Sequence, residues 1–147
     1  MPYTLTHIRI LRAPAERVWR ALTEQSAIVK WNPPDGFTAI VHELDFRVDG
    51  RFRMAFVNLT TGQEFGFGGS YREIVPNQKL IATNQFDDPN LPGEMITTYL
   101  LRPVSCGTEL TVEQIGLPDA VPAESCRLGW QQSFELLARL VEPEIAA

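Results

Sequence analysis

The chain is poor in the residues that carry most metal and nucleophile chemistry, with two cysteines and two histidines in 147 residues. Cys106 falls in an expected turn and Cys126 near an expected helix start, which gives no disulfide framework. Two sulfurs without a nearby histidine do not complete a zinc site. His7 and His42 lie on expected strands far apart in sequence, and both are expected at the surface. His42 and Glu43 are consecutive on a strand and point to opposite faces. No Ser–His–Asp constellation can be assembled, and no cofactor or metal is expected.

Basic charge is also scarce. Thirteen Lys and Arg stand against eighteen Asp and Glu, a net charge of −5. No run of Lys or Arg is present to neutralise phosphates or to hold an anionic membrane surface, so no nucleic-acid partner is expected. No stretch approaches the roughly 20 apolar residues that span a bilayer. The opening residues, 1–7, have neither the basic start nor the apolar run of a signal peptide. A cytoplasmic protein without a membrane span is expected, and Asn58-Leu59-Thr60 then matches a glycosylation sequon by chance.

What is present is core material. Hydrophobic residues make up 44% and charged residues 21%, which suits one globular domain over residues 1–147. Tyr3 to Leu11 reads as a strand rich in Thr, Ile and Leu. A helix follows from Ala13-Pro14, with Val18, Trp19 and Leu22 on its apolar edge. A short second helix, about Ser26 to Trp31, is stopped by Asn32-Pro33-Pro34. Phe37 to Arg47 is a strand that reaches the tight-turn pair Asp49-Gly50. Arg51 to Leu59 then alternates strictly, with Phe52, Met54 and Phe56 on one face. Glu64 to Ile74 places Phe65, Phe67 and Tyr71 together. Leu80 to Phe86, Glu94 to Arg102 and Thr108 to Ile115 complete six consecutive strands. Their short turns imply an antiparallel meander.

The last patterned segment, Leu128 to Val141, carries Trp130, Phe134, Leu137 and Val141 at helical spacing. A helix with that stripe, following a sheet, must bury it on the sheet's concave side. Two bulky surfaces meeting at a curve leave space between them.

The segment order and five local motifs resemble the START-like helix-grip superfamily (SRPBCC), in the branch of bacterial proteins similar to heat-shock-protein ATPase activator homologues. The motifs are Ala13-Pro14 with Val18-Trp19; Trp31 with Pro34 and Gly36-Phe37; Asp45 to Phe52; Gly69 to Pro76; and Gly129-Trp130. The resemblance covers about residues 5 to 141. It implies an α+β fold in which a seven-stranded antiparallel sheet wraps around a long C-terminal helix, with two short helices between strands 1 and 2. Two positions depart from the pattern: Asn32 stands where relatives often carry a second tryptophan, and Asp49 replaces the first glycine of a hairpin pair. Relatives include hydrophobic-ligand carriers, polyketide cyclases or aromatases, and chaperone-associated domains, so the fold implies no single function.

Trp31, Phe52, Met54, Phe56, Phe65, Phe67, Tyr71, Phe86, Tyr99, Trp130 and Phe134 either fill a solid core or line a cavity between sheet and helix. Asn84, Thr97, Tyr99 and Gln114 are polar positions on strands suited to burial. If they face inward, each needs a hydrogen-bond partner; if outward, solvent supplies it. Glu43 and Asp45 share a face and are the carboxylates to watch, while Glu43, Asp45, Glu64 and Glu73 can pair with Arg51 and Arg53 across the hairpins. Gly66, Gly68 and Gly69 lack nucleotide-loop spacing and are expected to allow a bulge or bend. Gly129 is expected to let the helix approach the sheet closely. Trp130→Ala is expected to cost on the order of 3–5 kcal/mol if the ring is fully buried.

The leading expectation is a non-enzymatic carrier or sensor that binds a small hydrophobic or aromatic molecule. The alternatives are a polyketide cyclase or aromatase, with Glu43, Tyr71 or Tyr99 moving protons, and a module with a chaperone partner. The oligomer is expected to be a monomer or a homodimer.

Overall fold

The computed structural model describes residues 1–146. Its elements, in chain order, are β1 (Tyr3–Leu11), α1 (Ala15–Thr23), α2 (Gln25–Trp31), β2 (Phe37–Leu44), β3 (Arg51–Asn58), β4 (Glu64–Val75), β5 (Lys79–Phe86), β6 (Met95–Val104), β7 (Gly107–Leu117) and α3 (Ala123–Val141). The strands form one antiparallel sheet in the order β1-β7-β6-β5-β4-β3-β2. This is the seven-stranded helix-grip architecture expected from the sequence.

The order places β1 and β2 at opposite edges of the sheet, so α1 and α2 carry the chain from one edge to the other. Val18, Trp19, Ala21 and Leu22 of α1 are buried, as are Ile28 and Trp31 of α2. The Trp31 indole N–H donates to the Ala21 carbonyl at 2.7 Å, which locks the two helices together. At the β1 end, the Thr108 hydroxyl donates to the Ala13 carbonyl at 2.8 Å.

The C-terminal half of α3 is packed solid. Phe134, Leu137, Ala138 and Val141 are all buried, in one cluster with Leu11, Val18, Leu110 and Val112. The N-terminal half differs, because residues 123–130 are half-buried or exposed throughout. The helix is therefore gripped at one end only.

Two expectations are corrected. The strand predicted over Phe37 to Arg47 ends at Leu44, and Asp45 to Gly50 form a docked loop rather than a two-residue turn. The Asp49 amide donates to the Tyr71 carbonyl at 2.8 Å, and the Tyr71 amide donates to the Gly50 carbonyl at 3.0 Å. Phe46 turns inward to meet Tyr71 edge-on at 5.0 Å and Trp19 at 6.2 Å. That tertiary packing outweighs continued strand pairing. Asp49 has φ 66°, a left-handed conformation that Asp tolerates far better than most residues, so its replacement of glycine is absorbed locally.

The β4 glycines do not mark the bulge, since the β4–β5 register shift falls between Tyr71 and Glu73. Gly69 has a different role: a Cβ there would stand 1.9 Å from the Thr83 carbonyl oxygen. Gly69→Ala should destabilise the protein by about 1–3 kcal/mol through forced backbone displacement. Urea unfolding reads this directly, and a change below about 0.5 kcal/mol would mean that β4 and β5 can separate without cost.

Candidate functional site: a cavity under the N-terminal half of α3

The unfilled space left by α3 is a cavity of about 290 Å³. Strand order decides its chemistry. On the β3–β4 side the lining is apolar, from Phe52, Met54 and Phe56 of β3 with Phe65 and Phe67 of β4. Register makes these facing pairs, Met54 opposite Phe67 and Phe56 opposite Phe65, and the Phe56 and Phe67 rings meet edge-on at 4.8 Å. Phe86, Met95 and Trp31 close this end. Phe65 is 42% exposed and packs against Phe37 with ring centroids 6.0 Å apart, which puts it at the rim.

Towards β7 the wall becomes polar. Tyr71, Ala82, Thr97 and Gln114 are successive cross-strand partners from β4 to β7. Asn84 and Tyr99 lie two residues from members of that row, hence on the same face. All of the polar members line the cavity. The even choice between inward and outward orientation is thus resolved inward for Asn84, Thr97, Tyr99 and Gln114.

Gln114 organises this wall. Its Oε1 accepts from the Trp130 indole N–H at 3.0 Å, from His7 Nε2 at 3.2 Å and from the Cys126 thiol at 3.4 Å. The indole N–H can only donate, which fixes the carboxamide with its oxygen towards α3 and its NH₂ away from it. Trp130 is further held by His7, stacked at 5.5 Å, and by Phe134 at 5.4 Å. Asn84 has a different environment: its Oδ1 is buried without any hydrogen-bond partner among the described residues. An unmet buried acceptor costs about 1–3 kcal/mol.

Among the described residues no Asp, Glu, Lys, Arg or His lines the cavity. Its titratable groups are held neutral by burial. Desolvation pushes the Tyr71 phenol up to about 12. Tyr99 is driven up by desolvation first, with a smaller contribution from neighbouring Tyr71. Burial likewise raises the Cys126 thiol, against a lesser opposing effect of Arg127. Tyr99 is half-buried and lines the cavity.

Of the fourteen residues singled out in the sequence, thirteen line this space. Phe134 does not, because it belongs to the solid core beside Trp130. Trp130 is half-buried, so the condition for the full 3–5 kcal/mol truncation cost is not met. Glu43 is exposed on β2, and Asp45 lies past the strand end, paired with Arg47 at 2.8 Å. Neither carboxylate reaches the cavity. Arg53 pairs with Asp87 through contacts of 2.9 and 2.6 Å rather than with Glu43, and Glu73 pairs with Lys79.

Several further residues escaped the sequence reading. His7 was expected at the surface and is buried, Cys126 and Met95 line the cavity, and Gly129 lines it without any close approach to the sheet. A Cβ built on Gly129 meets nothing within 4 Å. For His7 the signal was the spacing Leu5-His7-Leu11, obscured because Ile8 and Ile10 on the opposite face are also apolar. Cys106 and Cys126 are free thiols. Among the described residues no group of three or more potential metal ligands occurs, and no helix is long and apolar enough to cross a membrane.

The family described as "Activator of Hsp90 ATPase homolog 1-like protein" matches residues 12–142. The chain belongs to this family. The match spans the cavity and all three helices. A crystal structure of a Chromobacterium violaceum protein is 51% identical, covers 98% of this chain and 100% of its own, and superposes with a TM-score of 0.95. A Nitrosomonas europaea protein is 25% identical over 93% of this chain and 92% of its own, with a TM-score of 0.78. A Rhodobacter sphaeroides protein, 24% identical over 92% and 90%, reaches 0.82 and is similar in fold. No curated protein matches the chain.

The His7 site yields a pH dependence. Desolvation lowers its pKa below the usual 6.5, with the Gln114 hydrogen bond opposing and Arg127 assisting. The unfolded chain therefore takes up this proton at a higher pH than the folded one. Stability from this group is complete above about pH 6.5 and declines as pH falls towards the folded pKa. Urea midpoints at pH 7.5 and 5.5 should separate further for the wild type than for His7→Gln. Equal separations would show that His7 titrates as if exposed.

Proposed function

We propose that this protein binds a small, predominantly aromatic or hydrophobic molecule in the cavity between β3–β7 and the N-terminal half of α3, as a carrier or sensor. The observation that carries the reading is an aromatic-lined space of about 290 Å³, close to the lower end of the roughly 300–1,000 Å³ usual for small-molecule sites. Phe52, Met54, Phe56, Phe67 and Phe86 supply the apolar contact. Trp31 and Trp130, with ring centroids 6.3 Å apart, supply aromatic faces. Burial of ligand surface against these groups provides about 25 cal/mol per Å², from which association costs must be subtracted. Modest affinity is the expected regime.

The cyclase reading has less support, because proton transfer needs a group poised near the working pH. Glu43 lies outside the cavity, and Tyr71 and Tyr99 are both held protonated. The chaperone reading is supported by the family description alone. A cytoplasmic location belongs to the same proposal.

Gly129 provides the test. In a helix interior glycine is about 1 kcal/mol less favourable than alanine, and nothing within 4 Å of its missing Cβ requires it. Gly129→Ala should stabilise the fold by about 0.5–1 kcal/mol. Gly129→Leu should stay folded and project its side chain into the cavity. Native mass spectrometry of protein from a cell extract should find a co-purified small molecule on the wild type and lose it in Gly129→Leu. Equal occupancy in the two proteins, or none in either together with no thermal shift by neutral aromatic compounds, would overturn the proposal.

A further inference from the structure

The outer face of the sheet, opposite the cavity, carries an apolar patch open to solvent. Ile8 and Ile10 of β1, Ile115 of β7, and Ile96 and Leu100 of β6 are each 40–61% exposed there. These three strands are neighbours in the sheet. Single exposed aliphatic residues are ordinary, whereas five gathered on adjacent strands mark an interaction surface. The charged side chains on the outer face of β1, β7, β6 and β5 are Lys79, Arg102, Glu109 and Glu113. Their charges cancel, although the whole chain carries −5. A neutral, apolar face attracts no polyanion or anionic membrane, and it does not repel a second copy of itself.

Register gives this face an internal match. Across β7 and β6, Glu109 lies opposite Arg102, Thr111 opposite Leu100, Glu113 opposite Thr98 and Ile115 opposite Ile96. Half a turn about an axis parallel to the strands, midway between β6 and β7, exchanges the two strands and keeps every row in place. In a second copy so placed, each side chain meets the residue type that it already faces across the strand. Ile115 and Ile96 form a four-isoleucine cluster. Glu109 meets Arg102, a pair that already bonds within the chain at 3.1 and 3.3 Å. β1 then faces β5, where Ile8 covers the aliphatic stem of Lys79 and Thr6 lies on Ile81. An axis across the strands at the centre of the patch would instead set Glu109 against Ile115 and Arg102 against Ile96, which desolvates charge without a partner.

We propose that this face is the interface of a homodimer, two sheets packed face to face about the two-fold axis parallel to β6 and β7. The contact is isologous, and it leaves the cavity open in both copies. Strands about 4.8 Å apart with a rise of about 3.4 Å per residue give four strands over seven residues a face of about 19 by 24 Å. Two such faces bury about 1,000 Å² of accessible surface, the lower bound for a specific interface. The dimer is therefore weak and concentration-dependent.

Sedimentation velocity of the whole chain tests the interface. The wild type should pass from monomer towards dimer between about 5 and about 500 μM. Arg102→Glu leaves only carboxylates at the paired positions, and Glu109→Arg leaves only guanidinium groups. Each variant alone should associate at least about tenfold more weakly than the wild type. Mixed in equal amounts, the two should recover a heterodimer as tight as the wild-type dimer, because each then supplies the other's missing charge. Ile115→Lys, also at an exposed position, should abolish association while circular dichroism stays unchanged. A wild type that remains monomeric throughout the range would overturn the proposal. Single variants that dimerise like the wild type, or a mixture that fails to associate, would overturn the two-fold pairing.

Discussion

Burial of Phe134, Leu137, Ala138 and Val141 anchors α3 through its C-terminal half, and the shape of the interior follows from that anchor. The helix stripe meets α1, α2 and the β1–β7 side of the sheet, where Leu11, Val18, Leu110 and Val112 are fully buried. The sheet continues through β6, β5, β4 and β3, but no second bulky stripe on α3 follows it. Residues facing the sheet from the first half of the helix include Ser125, Cys126 and Gly129, all small. The resulting separation is held open by Trp130, the one large side chain of that half that lines the cavity, which is fixed in place from three sides.

Fixing Trp130 requires polar chemistry inside an apolar shell. Gln114 supplies it by accepting three donors on one oxygen, which satisfies the indole, the imidazole and the thiol together. Each would otherwise be a buried donor without a partner. The same arrangement explains why His7 is held neutral: a protonated ring would place charge behind Trp130, with only a neutral amide to receive it. A tether at the other side completes the frame, since the Ser133 hydroxyl donates to the Asn32 carbonyl at 2.9 Å and the Asp35 amide donates to Gln132 at 3.2 Å. The α2–β2 connection is thereby fastened to the helix, and Asn32 acts at that junction through its backbone.

Much of this was legible in the sequence where a single period dominated. Phe52 and Met54 alternate against Arg51 and Arg53, so the face they share with Phe56 could be read from β3 alone, and the same holds for the stripe of α3. Legibility failed where both faces of a strand carry apolar residues. Ile96, Leu100 and Ile115 are each at least 40% exposed on the convex face, which masks the inward direction of Thr97, Tyr99 and Gln114. Ile8 and Ile10 hide His7 in the same way. The Asp45–Gly50 loop was illegible for another reason, because its conformation is set by Tyr71 and Trp19, distant in sequence. Gly129 misled because a helical glycine signals close packing as readily as it signals open space. Only coordinates separate the two.

Three local choices in the site run against stability, and their coincidence is informative. Gly129 weakens the helix without relieving a contact, Asn84 buries an acceptor without a donor, and two phenols line the cavity where desolvation holds them protonated. Each has an obvious cheaper alternative: alanine at 129, leucine at 84 and phenylalanine at 71 and 99. Elsewhere the interior follows the ordinary rules, with Leu11, Leu110, Val112 and Leu137 fully buried. Departures from local consistency that gather around one cavity, while the rest of the core obeys, are the pattern expected where a protein gives up stability to keep a functional surface. The family relationship establishes the fold that frames this cavity; the cost borne by these particular side chains is what supports the binding role proposed for it.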